Sequence, residues 1–135
     1  MKSNQETTLK NIQIRLKAKV NPTEDRLKVE NSMLNMMGEK LTIKKTEDDY
    51  LIIEEGDISV LSKINHFILK NEQEELAVNI MERNMTDDSI KFFINKQAAY
   101  NNSLHMIDEE MSPLGDIEVE IRTGNPEEVI GWITS

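Results

Sequence analysis

Three cationic side chains recur at every second position near the start of the sequence: Arg15, Lys17 and Lys19. Ile12, Ile14, Leu16, Ala18 and Val20 occupy the alternate positions, and period-two alternation over this length predicts a β-strand with one buried face. On the other face, neighbouring cations stand about 6.5–7 Å apart by strand rise, close to the phosphate repeat of an extended nucleic-acid strand or a duplex edge. Asn11 and Gln13 lengthen the row with polar groups suited to anions or base edges. A structural reading competes with this one. Asp116, Glu118 and Glu120 alternate along a second strand-like stretch. If the two strands are neighbours, cross-strand ion pairs neutralise the row, each exposed pair contributing about 0–1 kcal/mol.

A second group follows a predicted strand: Asn95, Lys96, Gln97 and Tyr100. Placed on a loop, where binding residues concentrate, Lys96 would contact phosphate. Asn95 and Gln97 would meet base edges, and Tyr100 would stack on a base. The alternative is a loop held by Asn and Gln hydrogen bonds, with Ala98, Ala99 and Tyr100 closing the core. Lys40, Lys44 and Lys45 form a smaller basic group of the kind that is usually solvated surface.

Catalytic and metal-binding patterns are missing. His66 and His105 are the two histidines, and neither belongs to a metal-ligand pattern. Asp108, Glu109 and Glu110 lack the spacing and turn glycine of a calcium loop and read as a solvated acidic segment. No serine-nucleophile motif, phosphate-binding glycine loop or dinucleotide fingerprint occurs. Carboxylates are so frequent that no pair stands out as acid and base. The expectation is a protein with no catalytic residues, no metal and no cofactor.

The elements that must position these groups can be sketched. After the first strand, Asn21 is a good helix N-cap, with Pro22 at the first helical position and Glu24 at the third. The predicted helix has Leu27, Leu34 and Met37 on its core face, Met33 nearby, and Gly38 ends it. Leu41–Lys45 and Tyr50–Glu54 predict a hairpin turning at 46–49. Asp57 or Ser59 caps a second helix with Leu61, Ile64 and Ile68 inward, and polar residues 71–75 kink it before a stretch carrying Leu76, Ile80 and Met81. Ile90, Phe92 and Ile94 mark a strand, and Ile117, Val119 and Ile121 the last one. Asn125, Pro126 and Glu128 start a C-terminal helix that packs Val129, Ile130 and Trp132.

This order predicts an α+β domain with a mixed or antiparallel sheet and helices on one face, a ferredoxin-like variant. The length favours one domain over residues 9–135, preceded by a flexible tail at 1–8. There are no cysteines, which excludes disulfides and thiolate metal sites. No run approaches a membrane span, and the first ten residues lack the apolar core of a signal peptide, so a cytoplasmic location is expected. The net charge of −9 disfavours indiscriminate nucleic-acid binding. It is unevenly spread, however. Residues 1–45 hold 10 Lys/Arg and 5 Asp/Glu; residues 46–135 hold 6 and 20. That split makes a charge dipole only if the halves do not interleave.

Three segments carry a likeness to a known family: Val20-Asn21-Pro22-Thr23-Glu24-Asp25, the run Phe92 to Tyr100, and Ser112-Pro113-Leu114-Gly115-Asp116 leading into Ile117-Glu118-Val119. With the ending Val129-Ile130-Gly131-Trp132-Ile133, they resemble the archaeal uncharacterised protein family two-oh-one. The resemblance implies a fold similar to the large-subunit ribosomal protein that holds five-S ribosomal RNA. It also implies a homodimer and an RNA-binding role. Members usually carry Gly soon after the Ala-Ala-aromatic triplet, where this chain has Asn101-Asn102-Ser103. Two function classes follow: a module that binds structured RNA or a ribonucleoprotein without catalysis, and a dimeric protein-interaction module that touches no nucleic acid.

Overall fold

A computed structural model describes residues 9, 11–38, 41, 43 and 45–135, the side chains of 45–47 excepted. The expected tail at 1–8 and the cations Lys40 and Lys44 lie outside the described residues, as does the side chain of Lys45.

The alternating segment forms β1 (Gln13–Lys19), with Ile14, Leu16 and Ala18 buried. Helix α1 covers Arg26–Met37 and starts later than the capping pattern predicts, because Asp25 is the N-cap and accepts from Leu27 N–H. Only half of the expected capping box forms at 21–24, because Glu24 N–H bonds the Asn21 backbone carbonyl and not its side chain. Asn21 N–H donates to Glu24 Oε1 at 3.0 Å, and Glu24 N–H to Asn21 O at 2.9 Å. These bonds close a separate turn instead of a helix. The inward face is Val29, Ser32, Met33, Met36 and Met37, and Leu27 is 65% exposed.

β2 (Lys45–Glu47) and β3 (Tyr50–Glu55) pair through a two-residue turn, later than the predicted hairpin. Asp48 and Asp49 sit there at φ 47° and 70°, the positive-φ pair that suits the twist of a tight hairpin. A 3-10 turn (Ile58–Leu61) capped by Asp57 leads into α2 (Ser62–Lys70). The chain breaks at 71–73 and continues as α3 (Glu74–Arg83), where Ala77, rather than Leu76, faces inward with Ile80 and Met81. Then come β4 (Ser89–Ile94), α4 (Lys96–Tyr100), β5 (Met106–Ile107), β6 (Ile117–Arg122) and α5 (Pro126–Ile133). Neither α4 nor β5 was expected.

The six strands run in the order β2-β3-β1-β6-β4-β5, every neighbouring pair antiparallel. Connection β1-α1-β2 leaves β3 between the strands it joins. Alternate residues of β1, β3, β4 and β6 share one apolar core with the helices, the expected α+β arrangement with helices on one face. Trp132 is buried in that core, and Asn65 donates to the carbonyls of Ile133 and Ser135 at 2.7 and 3.3 Å, holding the end of α5. The opposite face of the sheet carries Arg15, Lys17 and Lys19.

Candidate nucleic-acid interface

The first and last strands are neighbours. β1 lies between β6 and β3, both from the acidic part of the chain, so the two halves interleave and the sequence-level charge split does not become a simple dipole. Register places Arg15 opposite Glu120 on one side and Glu54 on the other, and the Arg15 guanidinium lies 3.3 Å from Glu54. Glu120 also lies 3.7 Å from Arg122. A groove of about 590 Å³ opens here, lined by Gln13, Arg15, Glu54, Glu55, Glu120 and Arg122 among others. Two arginines face three carboxylates around it, so the cations at this end of β1 are fully offset.

The other end differs. Lys17 faces Glu118 in register, but its ammonium lies 4.4 Å from the centre of the Tyr50 ring, a cation–π contact. Lys19 is exposed, sits opposite Tyr50, and has no ion pair among the described residues. Asp116, expected beside it as a neutralising partner, is turned inward and 2% exposed. Its carboxylate accepts from Met111 N–H, Ser112 N–H and Ser112 Oγ–H at 2.8, 3.1 and 2.6 Å. These bonds offset the cost of burying the charge and remove Asp116 from the surface. The cationic row is thus neutralised at Arg15 and, among the described residues, without an ion pair at Lys17 and Lys19.

The second group forms a helix, not a loop. Asn95 Oδ1 accepts from Ala98 N–H at 2.8 Å and starts α4, while Asn95 Nδ2 donates to Ser112 Oγ at 3.2 Å. Asn95 is therefore engaged internally rather than offered to a base. Lys96 also departs from expectation, being 7% exposed. Its ammonium donates to Glu24 Oε1 and Oε2 at 2.9 and 3.0 Å, and to the carbonyls of Lys19 and Leu114, both at 2.9 Å. A phosphate contact would require breaking this cage, so Lys96 acts as an internal strut. Burial pushes the Glu24 carboxyl up, but the Asn21 hydrogen bonds and the Lys96 ammonium outweigh that and hold it below the usual carboxylate range. Asn21 Nδ2 closes the network on Glu24 Oε1 and Leu114 O, each at 2.7 Å. The three segments that carry the family likeness, 20–25, 92–100 and 112–116, converge on this node.

Around it, Gln97 and Tyr100 remain exposed, as a binding role requires. The Lys28 ammonium lies 5.8 Å from the centre of the Tyr100 ring, and Asn35 fixes the end of α4 by donating to the carbonyls of Ala99 and Tyr100 at 3.0 and 3.2 Å. Asn102 adopts φ 58°, the left-handed conformation that Asn tolerates in place of the usual glycine. Sequence reading missed Tyr50, Lys28 and Glu24. Tyr50 comes beside Lys19 through the pairing of β1 with β3, and Lys28 and Glu24 join the site only through tertiary contacts. His66 and His105 are exposed, and among the described residues no group of three His, Asp or Glu side chains is placed to hold a metal ion. Asp108 pairs with Arg83 at 2.8 Å. No described helix is long and apolar enough to cross a membrane.

Comparison with known proteins adds a context. A family model described as RNA binding matches residues 13–123. The chain is 36% identical over 120 residues to a UPF0201 protein of Methanothermobacter thermautotrophicus, covering 89% of each. It is 32% identical over 126 residues to a UPF0201 protein of Saccharolobus islandicus, covering 90% of this chain and 86% of that one. Among solved structures, the UPF0201 protein from Methanococcus jannaschii matches with a TM-score of 0.70 at 27% identity, over 90% of this chain and 89% of that one.

Proposed function

This chain belongs to the UPF0201 family, and from that membership we propose that it is an RNA-binding module with no catalytic step of its own. The observation that carries the reading is the asymmetry of β1: among the described residues Lys17 and Lys19 form no ion pair, at the end of the strand where Tyr50 is half-exposed and where α4, tied to the Lys19 carbonyl by Lys96, carries the exposed Gln97 and Tyr100. Lysines beside exposed aromatic rings suit a phosphate backbone with bases stacked nearby. Glu54, Glu118 and Glu120 limit the patch to a few phosphates, in keeping with a specific partner, a structured RNA or a ribonucleoprotein, rather than indiscriminate binding.

Titrating RNA affinity against salt tests the reading. Contact through Lys17, Lys19 and Lys28 gives a log–log slope of about −2, at about −0.7 per phosphate neutralised on a single strand. A slope near zero, or no binding at low salt, overturns it. A second reading, a dimer that binds protein instead, draws on Leu69 of α2 and Leu76 of α3, which stay exposed as apolar surface. It predicts a mass of two chains by light scattering and a partner retained after nuclease treatment.

A further inference from the structure

We infer that the groove between α1 and α4 receives one unpaired base, so that at this point the RNA partner is a single strand or loop rather than continuous duplex; this rests on the RNA-binding reading above. The groove encloses about 300 Å³ and is lined by Lys28, Val29, Ser32, Gln97, Tyr100 and Leu114 among others. That volume lies at the small end of ligand clefts. It fits a base and excludes a helix.

The lining has the chemistry a base requires. Tyr100 is 38% exposed and presents a ring for stacking. Leu114, 45% exposed, adds apolar surface above the buried Val29. The Gln97 amide offers both a donor and an acceptor to a base edge. Lys28, 5.8 Å from the Tyr100 ring and without an ion pair among the described residues, is placed for the adjoining phosphate. Glu24 and Asp25 also line the groove, and both carboxylates are engaged: Glu24 is held by Lys96 and Asn21, and Asp25 caps α1 through Leu27 N–H.

The groove is also pre-formed. Lys96 ties α4 to β1, to the 21–24 turn and to the Leu114 loop, and Asn35 ties it to α1. A base therefore enters without the cost of ordering its own site. A duplex is poorly served. Its bases are paired and stacked inward, so none is free to enter a groove of this size.

The test is fluorescence anisotropy with a labelled mixed-sequence RNA of about 12 nucleotides, within the range of common single-strand sites, and with the same RNA annealed to its complement. The single strand is expected to bind at least tenfold tighter than the duplex. Tyr100→Ala is expected to weaken single-strand binding roughly 5- to 150-fold, the range for removing a stacking aromatic, while Tyr100→Phe, which keeps the ring, stays within about twofold. Circular dichroism of both variants checks that the fold persists. Equal affinity for strand and duplex, or Tyr100→Ala indistinguishable from the parent, overturns the inference and leaves the RNA reading standing. Absence of binding to either RNA overturns both.

Discussion

The two ends of β1 begin from the same sequence pattern and finish with opposite surfaces. At Arg15 the neighbouring strands supply Glu54 and Glu120, and the cation is absorbed into the sheet's own charge pairing. At Lys19 the neighbours are Tyr50 and the start of β6, where Asp116 has been drawn inward by the 111–116 loop. The difference does not lie in β1. It lies in whether the adjoining carboxylate has a better partner elsewhere, and for Asp116 those partners are two backbone N–H groups and the Ser112 hydroxyl. The larger groove opens at the balanced end, so cavity size and readiness to bind an anion point to different places on this protein. Charge balance is the better guide for a polyanionic partner.

Several experiments can break or sharpen this contrast. The largest effect is expected from the strut beneath the Lys19 end. Lys96→Met leaves the partly buried Glu24 carboxylate without its cation and is expected to lower stability by about 3–5 kcal/mol, measured by urea denaturation. Adding Glu24→Gln to it should recover part of the loss. Next comes binding. Lys17→Ala with Lys19→Ala should reduce the magnitude of the salt slope by about 1.4 and change stability by no more than about 0.5 kcal/mol. A smaller effect is expected from pH. Because the fold lowers Glu24 below its ordinary 4.5, its contribution is complete above that value and disappears as pH falls through the lowered one. Glu24→Gln should flatten the acid limb of a stability–pH curve and leave its shape near pH 7 unchanged. The smallest effect belongs to Arg15→Ala: about 0–1 kcal/mol of stability, read from the same denaturation curves.

Much of the scaffold was legible in the sequence because it depends on local periodicity and caps. The alternation in β1 and β6 and the Asn125-Pro126 helix start read directly, and of the two cap candidates Asp57 and Ser59 it is Asp57 that caps, on the 3-10 turn ahead of α2. The start of α1 did not. The Glu24 half of its capping box forms, but Glu24 is also claimed by Lys96 from far along the chain, and the turn stays separate from the helix, which Asp25 caps. Residues 95–100 are too few to show helical periodicity, so α4 looked like a loop, and Lys96 and Asn95 looked available when both are engaged inside. Of the site, Lys19, Gln97 and Tyr100 are exposed, and Lys17 is half-buried against Tyr50. Tyr50 and Lys28 entered it through strand register and helix packing, which depend on the whole fold.

The most direct test of the central claim compares salt titrations of RNA affinity for the Lys17→Ala/Lys19→Ala and Arg15→Ala variants in parallel. The account predicts a markedly shallower slope for the lysine pair and an unchanged slope, with affinity within about twofold, for Arg15→Ala. The reverse order, or equal losses in both variants, would contradict it.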